Sequence, residues 1–149
     1  MNLTLTRRGD YAVRAAVFLA EVWDRDGLTR ISEICAAMSL PGSYTPQILG
    51  LLARAGLVTA KAGPAGGYRL ARDPAVISLL EVVEAAEGRP EPTTCILRGG
   101  PCHWEHACAV HGAWAAASEA FRDRLRQTTL TDLANADRDL ALNASRPTS

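Results

Sequence analysis

The stretch SYTPQILGLLARAG at residues 43–56, running straight on into LVTAKAGPAGGYRL at residues 57–70, decides the fold. Leu40-Pro41-Gly42 makes a turn ahead of it, and Ser43 is placed as the N-cap of a helix whose inner face carries Ile48, Leu51, Leu52 and Ala55. Pro46 falls in the first turn, where a missing amide hydrogen is tolerated because the first four donors have no intrahelical acceptor. Gly56 closes the helix as a left-handed cap. Leu57 to Lys61 then reads as a strand, Gly63 to Gly67 as a flexible turn and Tyr68-Arg69-Leu70 as a returning strand, which makes a two-stranded wing. In a winged arrangement the helix enters a major groove through its N-terminal residues while the wing tip reaches an adjacent minor groove. Ser43, Tyr44, Thr45 and Gln47 would face the duplex, Gln suiting adenine and the hydroxyls suiting phosphate. A winged helix used only for protein contacts is the competing reading.

Upstream, YAVRAAVFLAEVW at residues 11–23 is apolar on nearly every side, interrupted only by Arg14 and Glu21. That pattern predicts a helix buried on several faces, starting near Thr6 as its cap. Asp24-Arg25-Asp26-Gly27 is turn chemistry, and Ile31, Ile34 and Cys35 mark a short second helix in which Cys35 is a core residue. From Ile34 to Arg72 there is no Asp or Glu, yet Arg54, Lys61, Arg69 and Arg72 are present. This local imbalance, inside a chain of 149 residues with 16 basic and 16 acidic side chains, sketches the electrostatic footprint of a phosphate-facing surface, an acid-poor packing segment being the competing reading. Arg54, Lys61 and, at the start of the first helix, Arg7 and Arg8 complete the set assigned to DNA. Asp73-Pro74 ends the wing. Val76, Leu79, Leu80, Val82 and Val83 predict a further amphipathic helix ending at Gly88 and carrying Glu81, Glu84 and Glu87.

The apolar content of 48% supports a packed core, and no run of about eighteen apolar residues or signal-type stretch appears. A cytoplasmic protein without membrane insertion is expected. Arg89-Pro90-Glu91-Pro92 is a stiff linker, and beyond it comes Cys95-ILRGGP-Cys102-HWEHA-Cys108-AV-His111, a C-x6-C-x5-C-x2-H spacing. Crowded thiols suggest metal before a structural disulfide. Three thiolates on one loop can hold iron, can hold zinc if a fourth ligand completes a tetrahedron, or can pair under oxidation. Val110, Ala113, Trp114, Ala117, Phe121 and Leu125 then share one face of a helix reaching about Gln127, with Ala116 and Ala120 allowing another backbone to approach. Isologous two-fold pairing is the favoured way to bury such a stripe. Thr129 and Asp132 form a capping pair for a short terminal helix, and Asn143 to Ser149 is a frayed tail.

The opening LTLTRRGDYAVRA, the segment SYTPQILGLLARAGLV, the wing KAGPAGGYRL, ISLLEVVEAAEG, the three-cysteine loop and TTLTDL together resemble the Rrf-type winged-helix regulators, the family of IscR and NsrR. The resemblance runs from Leu3 to about Leu133. It implies a mainly α fold: a winged helix-turn-helix with a two-stranded wing over residues 1–88, a linker and cluster-binding loop over 89–112, and a long C-terminal dimerisation helix with a short terminal helix over 109–136. Residues 137–149 are expected to be a disordered tail. The resemblance further implies a homodimer on a partly palindromic double-stranded operator, with an iron-sulfur cluster controlling DNA affinity and sensing nitric oxide, redox state or iron.

Cys95, Cys102 and Cys108 match the three cluster thiolates of the family. Asp10, in GDYAVRA, matches the aspartate that in the NsrR branch comes from the partner subunit to complete a 4Fe-4S cluster, and it is the preferred fourth ligand. His111 matches the histidine that completes a 2Fe-2S cluster in the IscR branch and is the alternative. His103, Glu105 and His106 are further donors within the loop. Two departures matter. Pro46 stands where the IscR branch has a base-discriminating acid, and the six-residue gap between the first two cysteines exceeds that branch's usual five. A thiol-only redox switch and a structural zinc site are the competing expectations, and no nucleophile-base pair points to an enzyme.

Overall fold

The computed structural model describes residues 4–89, 95, 97–103 and 107–144. Its described elements are α1 (Arg7–Glu21), α2 (Ile31–Met38), α3 (Thr45–Arg54), β1 (Val58–Lys61), β2 (Gly67–Leu70), a 3-10 turn at Pro74–Val76, α4 (Leu79–Glu87), α5 (Ala109–Gln127) and α6 (Leu130–Ala144). No helix among the described residues is long and apolar enough to cross a membrane.

Helix α1 is the hub. Thr6 caps it as the sequence predicts, its hydroxyl accepting from Gly9 N at 3.3 Å. Ala12, Ala15, Ala16 and Ala20 are all but inaccessible, and their small size lets neighbouring backbones close in. Against this helix pack α2, α3, α4, α6 and strand β2. The second helix ends on Ser39 in the left-handed region, with Leu40 N donating to Cys35 O at 2.9 Å.

The start of α3 differs from the expectation. Tyr44, not Ser43, is the N-cap, and it makes no side-chain cap bond. The amide donors are met another way: Tyr44 N and Thr45 N both reach Pro41 O, at 3.2 and 3.0 Å, and Thr45 Oγ1 donates to the same oxygen at 2.7 Å. The buried face is also turned slightly. Ile48, Leu49 and Leu52 are completely inaccessible, whereas Ala55 is exposed and serves as C-cap. Three such burials, each worth roughly 1.5–3 kcal/mol, outweigh one missing cap worth about 1 kcal/mol, so packing sets the helix rotation. At the other end Gly56 adopts φ 73°, Leu57 N donates to Leu52 O at 2.9 Å and Gly56 N to Ala53 O at 3.0 Å. This is the double bond of a Schellman cap, and it turns the chain into β1.

The wing pairs Val58 with Leu70, Thr59 with Arg69, Ala60 with Tyr68 and Lys61 with Gly67 in antiparallel register. Its base is fastened by Thr29, which exchanges two backbone bonds of 2.8 Å with Tyr68. Val76 is not part of α4 as its spacing suggested; it ends the 3-10 turn and is 61% exposed. Helix α4 starts later, at a capping box in which Ser78 and Glu81 satisfy each other's backbone amides. Burial raises the Glu81 carboxyl, but Arg72, 2.7 Å away, and the Ser78 amide and hydroxyl outweigh it and hold the group below its ordinary value.

The beginnings of α4 and α6 are stitched together. Leu79 N donates to Thr128 O at 2.8 Å and Leu130 N to Ile77 O at 2.9 Å. Thr129 and Asp132 form the capping pair expected from the sequence. Helix α6 is longer than expected, however. Residues 137–144 continue it rather than forming a tail, because Leu130 and Ala134 anchor it on α1 and Arg138 Nη2 reaches Glu21 O at 3.1 Å. Residues 145–149 of the expected tail lie outside the described residues. Helix α5 has the expected extent and no buried residue; Val110 and Phe121 are 41% and 46% exposed.

Two outcomes follow from these caps and contacts. Ser78→Ala removes one half of the capping box and is expected to cost about 1 kcal/mol in urea unfolding, with an unchanged denaturant slope. Burial, followed by the hydrogen bond and negative charge of Asp137, raises the Glu21 carboxyl above its ordinary value, with Arg138 opposing. The native state therefore holds that proton more tightly than the unfolded chain, a contribution that grows on acidification and is lost as pH rises through the elevated value. Asp137→Asn is expected to raise the thermal midpoint at pH 7, with the advantage shrinking as Glu21 protonates.

Candidate nucleic-acid interface and thiol site

The turn and α3 sort the predicted DNA-facing residues into two groups. Ser43 and Gln47 are exposed at the start of the helix, but Thr45 is completely buried and its hydroxyl is spent on Pro41 O. Thr45 therefore builds the turn and is not presented to a duplex. Tyr44 is half-buried, its ring meeting Tyr11 edge-on at 5.9 Å.

The acid-free stretch divides in the same way. Arg69 lies over the ring of Trp23, with the guanidinium carbon 4.9 Å from the centroid, and Arg72 is paired with Glu81 at 2.7 Å. Both cations hold the wing to the body. Arg54 and Lys61 are exposed, as are Arg7 and Arg8 on the first turn of α1, and none of these four has an ion pair among the described residues. The sequence reading missed Arg30. It lies just upstream of the acid-free window, is exposed, and directs Nη2 to Pro64 O in the wing turn at 3.5 Å. Only the pairing of Thr29 with Tyr68 brings it to the wing.

Asp10 occupies the first turn of α1 and is about two-fifths exposed. Both of its oxygens are taken by Arg14 of the same helix, Nε to Oδ1 at 2.9 Å and Nη2 to Oδ2 at 2.7 Å. Arg14 also donates to Met38 O, the end of α2, at 3.3 Å, and its guanidinium carbon lies 6.0 Å from the Tyr11 ring centroid. One guanidinium thus touches Asp10, the end of α2 and, through Tyr11 and Tyr44, the start of α3.

The three clustered cysteines are free and half-buried. Cys95 N donates to Gly100 O at 2.7 Å and Gly99 N to Cys95 O at 2.8 Å, a turn closed between Cys95 and the Gly99–Gly100 pair. Inside it the amides of Leu97 and then Arg98, aided by the Cys102 thiol and the Arg98 charge, hold the Cys95 thiol below its ordinary value against a smaller effect of burial. Cys102 Sγ also lies 3.7 Å from His111 Nδ1. Cys108 is the N-cap of α5 and makes no side-chain cap bond; its carbonyl accepts from His111 N at 3.2 Å. Cys95, Cys102 and His111 are therefore brought into a line of contacts, with Cys108 one helical turn from His111. No group of three or more His, Cys, Asp or Glu side chains is already closed around a common point among the described residues. Asp10 meets Arg14 and none of the thiols in this protomer. His103 is exposed, Glu105 and His106 lie outside the described residues, and Cys35 packs against the core as expected. The donor set, with one thiol favoured as thiolate and an imidazole beside another, suits a thiophilic iron or zinc centre.

Residues 5–136 match the Rrf2 family model, described as an iron-dependent transcriptional regulator. The helix-turn-helix transcriptional regulator IscR of Klebsiella pneumoniae is 32% identical over 133 residues, covering 89% of this chain and 80% of that protein. Among solved structures, CymR, the global cysteine regulator of B. subtilis, superposes with a TM-score of 0.74 at 27% identity, covering 91% of this chain and 98% of that one. IscR of T. potens superposes with a TM-score of 0.73 over 100% of this chain and 96% of that one, at 24% identity. The winged helix-turn-helix, the wing and the length of the match agree: the chain belongs to the Rrf2 family and is a DNA-binding transcriptional regulator, not an enzyme.

Proposed function

We propose that this regulator works as a homodimer whose affinity for a partly palindromic operator is set by an iron-sulfur cluster on Cys95, Cys102 and Cys108. Ser43, Tyr44 and Gln47 face the major groove, and Arg54, Lys61, Arg7 and Arg8 contact phosphate. The exposed apolar side of α5, with Val110 and Phe121, pairs with its two-fold copy. Asp10 of the partner subunit is the fourth ligand in a 4Fe-4S site; His111, already beside Cys102, is the fourth ligand if the site is 2Fe-2S. When bound, such a cluster supplies a labile metal corner able to react with nitric oxide or oxidants or to be lost.

The observation that carries this reading is the shared guanidinium of Arg14. While Asp10 stays on Arg14, the start of α1 is tied to Met38 at the end of α2 and leans on Tyr11, which packs on Tyr44 at the start of α3. Drawing the Asp10 carboxylate across the dimer removes the acceptor that orients Arg14. A tenfold change in DNA affinity requires about 1.4 kcal/mol. The Asp10–Arg14 pair is exposed enough that it alone supplies roughly 0.2–1 kcal/mol, so the bond to Met38 and the aromatic contact have to move with it.

A second reading rests on the contact between Cys95 and Cys102 and on the lowered Cys95 thiol. Oxidation of these two thiols to a disulfide would tighten the 95–102 loop without any metal. Anaerobic purification with an absorption spectrum and iron and sulfide assays separates the two. Visible colour with inorganic sulfide, abolished by Cys102→Ala, is expected. Pale, sulfide-free protein whose DNA affinity answers to diamide and dithiothreitol would establish the thiol switch, and a stoichiometric redox-silent zinc would make the site structural. For the ligand question, Asp10→Ala should keep the cluster but blunt the DNA response, measured by titrating a duplex selected from a random library. An unchanged response transfers the role to His111.

A further inference from the structure

The last turn of α4 reaches the start of α1 through the carboxylate of Glu87. Glu87 Oε1 accepts the Thr6 backbone N–H at 3.1 Å and the Thr6 hydroxyl at 2.6 Å, while that hydroxyl accepts from Gly9 N. The residue below the carboxylate is glycine for a steric reason: a Cβ on Gly9 would stand 2.2 Å from Glu87 Oε1. Gly9 is buried, whereas Arg7 and Arg8 on the same turn point outward and carry no ion pair among the described residues. One turn earlier, Glu84 receives Arg89 Nε at 3.0 Å and lies 2.6 Å from Arg122 Nη2 of α5, the latter an ion pair not aligned as a hydrogen bond. The end of α4 thus holds α1 on one side and α5 and the start of the linker on the other.

We propose that Glu87 is a positioning residue for DNA binding. It fixes Thr6 and so holds the first turn of α1 in the orientation that presents Arg7 and Arg8 to the phosphate backbone. The inference rests on the reading of these two arginines as phosphate contacts. A first helical turn has amides without intrahelical acceptors and frays unless they are met; here the meeting group also carries the negative charge favoured at a helix N-terminus. A direct electrostatic part for Glu87 at the interface would have the opposite sign, because a carboxylate near phosphate weakens binding and its removal strengthens it.

The test titrates the reduced full-length protein with a fluorescein-labelled duplex of random sequence, about three helical turns long, over a range of salt concentrations. Each phosphate contact contributes about 0.9 to the slope of log affinity against log salt. Replacing both Arg7 and Arg8 by Ala removes two phosphate contacts from each protomer of the dimer and is expected to lower that slope by about 2 per protomer, about 3.6 in all. Glu87→Ala should lower it by about 1 or more with both arginines intact, Glu87→Gln, which keeps an acceptor oxygen, should restore it, and Glu87→Ala should add nothing when the arginines are already gone. Gly9→Ala, which keeps the charge and favours helix, should evict the carboxylate and reproduce the loss; it carries the test if Glu87→Ala does not fold. A Glu87→Ala slope equal to wild type, tighter binding, or losses that add to those of the arginine variant overturn the proposal. If the arginine variant itself keeps the wild-type slope, the phosphate reading falls and takes this inference with it, whereas a slope lost only in the arginine variant sinks this inference alone.

Discussion

Helix α1 has to be buried on almost every side, and the rest of the molecule is arranged around meeting that demand. Its alanines leave room for α4 and α6 on one flank and for α2 and α3 on another, so the body cannot be assembled without it. A helix enclosed in this way has few places for polar chemistry. Its polar groups are confined to its ends and to the narrow strip where Asp10 and Arg14 emerge. The carboxylate and guanidinium that link the helix to its neighbours thus stand close to the exposed Arg7 and Arg8 of its first turn.

The same enclosure explains how charge is distributed on the DNA side. A wing of two four-residue strands has too little core of its own, and long cations serve as its fasteners: Arg69 against Trp23 and Arg72 against Glu81, with Thr29 completing the base. Arg7, Arg8, Arg54 and Lys61, exposed and without an ion pair among the described residues, are then spread over three separate elements, α1, the end of α3 and β1. Cations spread in this way make no single dense patch, which suits a chain whose formal charge is zero.

Much of this was legible in the sequence. The cap at Thr6, the closure at Gly56, the two strands, the pair Thr129 and Asp132 and the extent of α5 all follow from local rules, and local rules hold where no competing partner exists. They failed where one did. Ser43 is a good cap in isolation, but the carbonyl of Pro41 already takes the Tyr44 and Thr45 amides and the Thr45 hydroxyl, which puts Thr45 inside. Val76 fits the period of α4, yet Asp73 and Pro74 start a 3-10 turn that ends before Ser78 can cap. Residues past 136 look polar enough for a tail, and only the surface of α1 reveals why they remain helical. In the site, spacing identified the clustered thiols but could not show that His111 lies beside Cys102, which depends on how the loop meets α5, or that Arg30 reaches the wing 34 residues away, whereas the Asp10–Arg14 pair is an i, i+4 contact that helix spacing alone offered.

The stitch between Leu79 and Thr128, with Leu130 on Ile77 behind it, closes the body at the point where the chain departs and returns. Between these two bonds α4 packs on α1 and enters the core, whereas α5, reached through the cysteine loop, has no buried residue. That loop can gain or lose residues without disturbing the alanine-lined interior, because loop length has only a weak logarithmic cost. The six-residue spacer between Cys95 and Cys102 is thus one length among those the scaffold can carry.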